Sequence, residues 1–156
     1  MKSAPLILAF LFSGMLCRQT ACAQTATGQQ QLLPFEIRIG CGFAGQTSFD
    51  ITFMKALVEK KDYEGIIKSL NAPAPLQQLA AVIAVEELAK RGVLKLNPVQ
   101  ERNIARVKQS TQPYSLCSGC TMHSKGIVSD IFTRDPREQS FLNPEYHIKY
   151  AIGLIH

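Results

Sequence analysis

Tryptophan is absent from this chain, and aromatic residues of any kind are few. Carbohydrate-binding faces usually offer a broad aromatic platform, so the lack weighs against one. Long apolar runs are missing as well: the run from Pro5 to Leu16 covers 12 residues, and a membrane-spanning helix needs about 20. No G-x-S-x-G, H-E-x-x-H or phosphate-binding P-loop motif occurs, which removes the readily recognised hydrolase, metalloprotease and nucleotide-binding classes. Basic residues are not gathered into a patch. Lys60-Lys61 and Lys90-Arg91 are the only adjacent basic pairs, so the basic balance does not indicate nucleic-acid binding.

What is present begins with the first two dozen residues. Lys2 supplies a positive start, an apolar run follows, and Ala21-Cys22-Ala23 is a small-x-small cleavage pattern. This reads as a secretory signal peptide over 1–23, with the mature chain starting at Gln24. Lipid attachment at Cys22 is the rival reading. A lipobox, however, wants an aliphatic residue three places earlier, and Gln19 stands there. Removing the first 23 of 156 residues leaves 133, with 15 basic residues against 12 acidic ones. That is enough chain for one domain with a real core, and it is expected outside the cytoplasm, in the periplasm or fully secreted.

Residues 24–34 are polar and rich in glutamine and read as a flexible lead-in. Residues 35–156 read as one mainly helical domain. Phe35-Glu-Ile-Arg-Ile39 alternates apolar and charged residues, a strand signal. It runs into Gly40-Cys-Gly-Phe-Ala-Gly45, where three glycines in six residues demand a tight loop. Thr47–Lys60 reads as a helix, with Phe49, Phe53, Met54, Leu57 and Val58 as its apolar stripe. Asp62 can cap the next helix, which carries Tyr63, Ile66, Ile67 and Leu70. After Asn71-Ala-Pro-Ala-Pro75, a third helix covers Leu76–Arg91, apolar over a wide band, and stops at Gly92. Asn97-Pro98-Val99-Gln100 starts a fourth helix that runs to about Ser110. Gly126–Phe132 reads as a short helix and Thr133–Pro144 as turn. Residues 146–156 fit a strand through Tyr146, Ile148, Tyr150, Ile152 and Leu154, or a helix through Ile148, Ile152 and Ile155. The strand is favoured, as a partner for Phe35–Ile39. The fold class expected is mainly α: a small helical bundle or helical-hairpin stack, with a short β element near the mature N-terminus and a second at the C-terminus.

Residues 62–92 resemble one HEAT or armadillo-type helical pair. Tyr63-Glu-Gly-Ile-Ile-Lys-Ser-Leu70, a proline-containing break, and then Leu76–Val85 with an Ala-Ala step carry the likeness. The resemblance implies a helical scaffold that binds a protein or peptide on one face. It implies no catalysis and transfers no functional residues.

Three cysteines remain after cleavage: Cys41, Cys117 and Cys120. In an exported protein a disulfide is the default, either Cys41 to one of the pair or Cys117 to Cys120, and the odd number leaves one over. Cys117-x-x-Cys120 also has the spacing of a zinc knuckle, with His123 and Cys41 able to complete a Cys3His set. The same pair has thiol-redox spacing, although Ser115-Leu116 rather than an aromatic residue stands just before it and no βαβ pattern surrounds it. Covalent haem is the least favoured reading, because Thr121 stands where a histidine is needed and His123 comes two residues too late. A cysteine nucleophile would require His123 or His147 as its base. The expectation is a protein-interaction or structural module of the periplasm or cell envelope with no cofactor, and not an enzyme. The alternative is a thiol-redox or zinc-binding protein using the cysteine cluster.

Overall fold

The computed structural model describes residues 32–119, 122–133 and 143–155. The expected signal peptide with Cys22, most of the expected lead-in, Cys120 and the expected turn around Asp135-Pro136 lie outside them. Among the described residues the order is β1 (Phe35–Ile39), α1 (Phe49–Glu59), α2 (Tyr63–Lys68), a 3₁₀ turn (Ser69–Asn71), α3 (Pro75–Lys90) and α4 (Pro98–Lys108). Then come β2 (Pro113–Ser118), β3 (Met122–Ile127), α5 (Val128–Thr133) and α6 (Pro144–Ala151). The chain is mainly helical.

Local chemistry sets most helix ends. The Asp62 carboxylate accepts from the Gly65 amide at 2.9 Å and caps α2. Asn97 and Gln100 form a reciprocal capping box at the start of α4, with Pro98 in its first turn, so the amides of Asn97, Val99 and Gln100 are satisfied at once. Gly92, at φ +73°, takes the left-handed position after α3. The middle of α3, Leu79–Val85, is apolar all round, and nine residues of the helix are buried. A helix whose middle turns have no polar face has to sit at the centre. It packs against α1, α2, α4, α6 and β1, and one continuous core spreads outward from it.

Three strands form the sheet in the order β1-β2-β3, with β1 parallel to β2 and β2 antiparallel to β3. A parallel pair needs a long crossover, and here helices α1–α4 supply it. Tyr114 and Leu116 of β2 point into the core. Gly126 lies opposite Tyr114 in register; a Cβ there would stand 3.0 Å from the tyrosine oxygen, so the missing side chain makes room for that ring. The outer edge of β1 is closed by the approach to α1. Ser48 Oγ accepts from the Arg38 amide at 2.9 Å, the Ser48 amide donates to the Arg38 carbonyl at 2.9 Å, and the Gly40 amide donates to Thr47 Oγ1 at 3.1 Å. Side chains and backbone thus cover groups that would otherwise invite another strand.

Two expectations are corrected. The strand favoured for residues 146–156, pairing with β1, is instead helix α6, and β2 is the partner of β1. Asn143 caps α6 by accepting from the Glu145 amide, and Pro144 opens its first turn. The helix separates what the alternation had lumped together: Ile148 and Ile152 face inward, while Tyr146 and Tyr150 face out. The short helix expected over Gly126–Phe132 begins at Val128, because Gly126 and Ile127 finish β3.

Candidate functional site

The glycine loop after β1 is held from several sides. Cys41 forms a disulfide with Cys117 of β2, a Cα–Cα distance of 5.6 Å across 76 residues of sequence. Cys41 and Gln46 exchange backbone hydrogen bonds of 2.7 and 2.9 Å, and the Gly45 amide donates to the Gly42 carbonyl at 3.1 Å. The Gly42 amide donates to Gly119 at the end of β2 at 3.2 Å. Gly42 and Gly45 have φ of +69° and +62°, values a β-carbon disfavours, so this turn needs glycine. Arg38 links the loop to β1 by an ion pair to Glu36 at 2.6 Å and a hydrogen bond to Gln46 at 3.3 Å. The Arg38 hydrogen bond holds the Glu36 carboxyl below the usual carboxylate range.

Phe43 stands at the tip of this stapled loop and is fully exposed, at 110% of the reference area. Ala44 beside it is exposed too, and the segment from Gly40 to Gly45 carries no charged residue. The loop therefore presents one large apolar side chain on a constrained backbone.

The structure distributes the candidate cysteine-site residues as follows. Cys41 and Cys117 bond to each other, so in this state neither offers a thiolate to a metal or a substrate. His123 lies opposite Cys117 in the β2–β3 register and is exposed. Cys120 lies outside the described residues. Among the described residues no group of three His, Cys, Asp or Glu side chains is arranged to hold a metal. His147 of α6 meets Ser118, with Nδ1 at 3.2 Å from the hydroxyl. That hydrogen bond joins β2 to α6 across 29 residues of sequence, and no local pattern announces it.

A second surface was hidden by an expectation of burial. Of the apolar stripe expected on α1, Met54 and Leu57 are buried, together with Ile51, whereas Phe49 and Phe53 are not. Phe49 is 80% exposed and Phe53 37%, and their rings stack with centroids 6.2 Å apart. Apolar grooves flank them. One, of about 620 Å³, lies beside Phe49, Asp50, Pro75 and Leu76. The other, of about 650 Å³, lies beside Phe53, Leu57, Gly65, Ala72 and Pro73. Among the described residues no helix is long and apolar enough to cross a membrane. Compared with family models, curated proteins and solved structures, the chain matches none.

Proposed function

We propose that this chain is an exported protein-interaction module whose contact element is the stapled loop at residues 40–46. The observation that supports it is the full exposure of Phe43 on a backbone fixed by a disulfide, hydrogen bonds and left-handed glycines. Single exposed apolar residues are ordinary; one carried on a loop held by a disulfide and several backbone hydrogen bonds is less so. Aromatic side chains supply a large share of binding free energy at interface centres. A loop already ordered loses little entropy on docking. We read the helices behind the loop as a helical-hairpin stack serving as its rigid support, in the periplasm or cell envelope. The HEAT or armadillo likeness of residues 62–92 points to a scaffold of the same kind. A disulfide is compatible with that compartment.

The test places a photo-crosslinking phenylalanine analogue at position 43 in cells that make the protein, with exposed Lys95 as control. A discrete adduct at 43, absent at 95 and competed away by the unmodified protein but not by its Phe43→Ser variant, is the expected result. Phe43→Ser itself should leave the melting temperature within about 1 °C, because it removes no buried contact. Adducts at 43 no different from those at 95 would overturn the reading. The alternative thiol-redox or zinc function makes a different prediction. There, serine at Cys41 and Cys117 would abolish reductant-sensitive activity or metal content with the fold intact, whereas the interaction reading expects lost stability.

A further inference from the structure

The exposed face of α1 is complementary to itself. Phe49, Phe53, Ala56 and Lys60 follow at spacings of four, three and four, so they share one stripe along the helix and its C-terminal cap. The two ends of the stripe differ in shape and in charge. At the N-terminal end Phe49 projects into solvent, and beside it Asp50 lines the first groove. Among the described residues no ion pair or hydrogen bond reaches the Asp50 carboxylate. At the C-terminal end Lys55 is engaged with Glu59 at 3.7 Å, while Lys60 has no partner among the described residues. The second groove opens beside that end, walled by Leu57, Ala72 and Pro73. Grooves thus lie at both ends of the helix; among the described residues the ends differ in that one carries the projecting Phe49 with an unpaired anion and the other an unpaired cation.

A twofold axis brings opposite ends of such a helix together, because in an isologous interface residue i of one copy meets j of the other and j meets i. We propose that the α1 face is a self-association surface on which two copies pair antiparallel. Each copy lays Phe49 toward the groove beside Leu57 and Pro73 of the other, and sets Lys60 near the other's Asp50. The axis passes between Phe53 and Ala56, so the larger side chain of each copy meets the smaller of the other. Phe49 and Lys60 lie about 16 Å apart along the axis at 1.5 Å per residue, and the pairing superposes these two ends. Antiparallel helices also oppose their dipoles, and burying an aromatic ring on each side removes roughly 150–250 Å² from water per ring. This surface is independent of the Phe43 loop, and the two readings fail separately.

Sedimentation velocity on the purified protein with its disulfide intact, over about 1–200 µM, tests it at the affinities expected of a modest interface. The expected result is a concentration-dependent doubling of mass. Phe49→Ser should leave a monomer. Asp50→Lys and Lys60→Glu should each weaken the dimer by about tenfold or more, and the double variant should recover it, because the charges are only exchanged. Far-UV circular dichroism and melting of each variant verify that it folds. Phe43→Ser should leave the dimer intact. A single monomeric species throughout the range, or a dimer indifferent to Phe49→Ser and Lys60→Glu, would overturn the proposal.

Discussion

Gly65 shows how closely one side chain can be tied to its neighbour. A β-carbon there would stand 2.6 Å from Asp62 Oδ2 and 3.1 Å from Leu57 Cδ2. The Asp62 carboxylate is held in that place because it caps α2 through the Gly65 amide. On helix propensity alone, Gly65→Ala would stabilise by about 1 kcal/mol. The clash displaces the cap, and loss of a cap costs about 1 kcal/mol, with strain against buried Leu57 added. Gly65→Ala should therefore destabilise the protein in urea unfolding, by roughly 0.5–2 kcal/mol. In an Asp62→Ala background the same change should cost markedly less, since the atom it strikes has gone. Equal effects in both backgrounds would mean that the cap is not what excludes the methyl group. Asp62 as cap was legible from type and position. The clash was not, because spacing places residues along a helix and says nothing of the room each one has.

At the scale of elements, α6 is where the pattern misled and where charge explains the result. Tyr146, Ile148, Tyr150, Ile152 and Leu154 alternate, and alternation signals a strand. The same residues at i, i+4 separate into an inner pair, Ile148 and Ile152, and an outer pair, Tyr146 and Tyr150. Asn143-Pro144 is the helix start already recognised at Asn97-Pro98, here taken for a turn. The strands β2 and β3 were missed for the opposite reason. In β2 three residues are buried, but Pro113 and two serines dilute the apolar pattern; in β3 no described side chain is fully buried, and Ser124 and Gly126 break the period.

Lys149 of α6 bridges Glu145 at 2.8 Å and Glu87 of α3 at 3.3 Å, and Arg91 bonds Glu87 at 2.9 Å. Arg91 also donates to the Leu154 carbonyl, tying the chain beyond α6 to α3. Burial works to raise the Glu87 pKa, but hydrogen bonds from Arg91 and Lys149 outweigh it, and the net direction is down. Burial likewise works to lower Lys149, and its two carboxylate partners outweigh it, so the net direction is up. A depressed carboxylate stabilises the fold above its unfolded pKa, near 4.5, and loses that contribution as pH falls through the folded value. A raised lysine contributes below 10.5 and loses its share as pH climbs through its folded value. The clasp should thus be at full strength between these limits. Glu87→Gln should lower the melting temperature at pH 7 by roughly 3–5 °C, and the gap to the unsubstituted protein should narrow below about pH 4. A gap that does not change with pH would remove the electrostatic account of how α6 docks.

For the molecule as a whole, the connection that matters most joins segments far apart in sequence. β1 enters the sheet before any helix, and β2 arrives only after four helices have been laid down. The disulfide reinforces that distant parallel pairing at the point where the glycine loop leaves the sheet. The cysteine content made a bridge expected, and Cys41 in its glycine loop was among the choices. The pairing itself was not legible, because three cysteines permit three bridges and the strand that carries Cys117 had not been recognised. In the chain-entropy account, closing a loop of 76 residues contributes about 4 kcal/mol by restricting the unfolded chain. Reduction, or serine at both Cys41 and Cys117, should then lower the melting temperature by roughly 10–15 °C. Far-UV circular dichroism at 25 °C should keep its helical shape, since the core around α3 does not include the bridge. The loop should respond first and most. Amide exchange at Gly42 and Gly45 should rise on reduction by more than exchange in α3, because these amides rest on the staple and on short loop hydrogen bonds. A non-reducing peptide map that links Cys41 to Cys117 fixes the reference state for both measurements. If the map shows that bridge while melting and exchange are indifferent to reduction, the β1–β2 ladder and the glycine turn hold the loop unaided, and the disulfide is not what constrains Phe43.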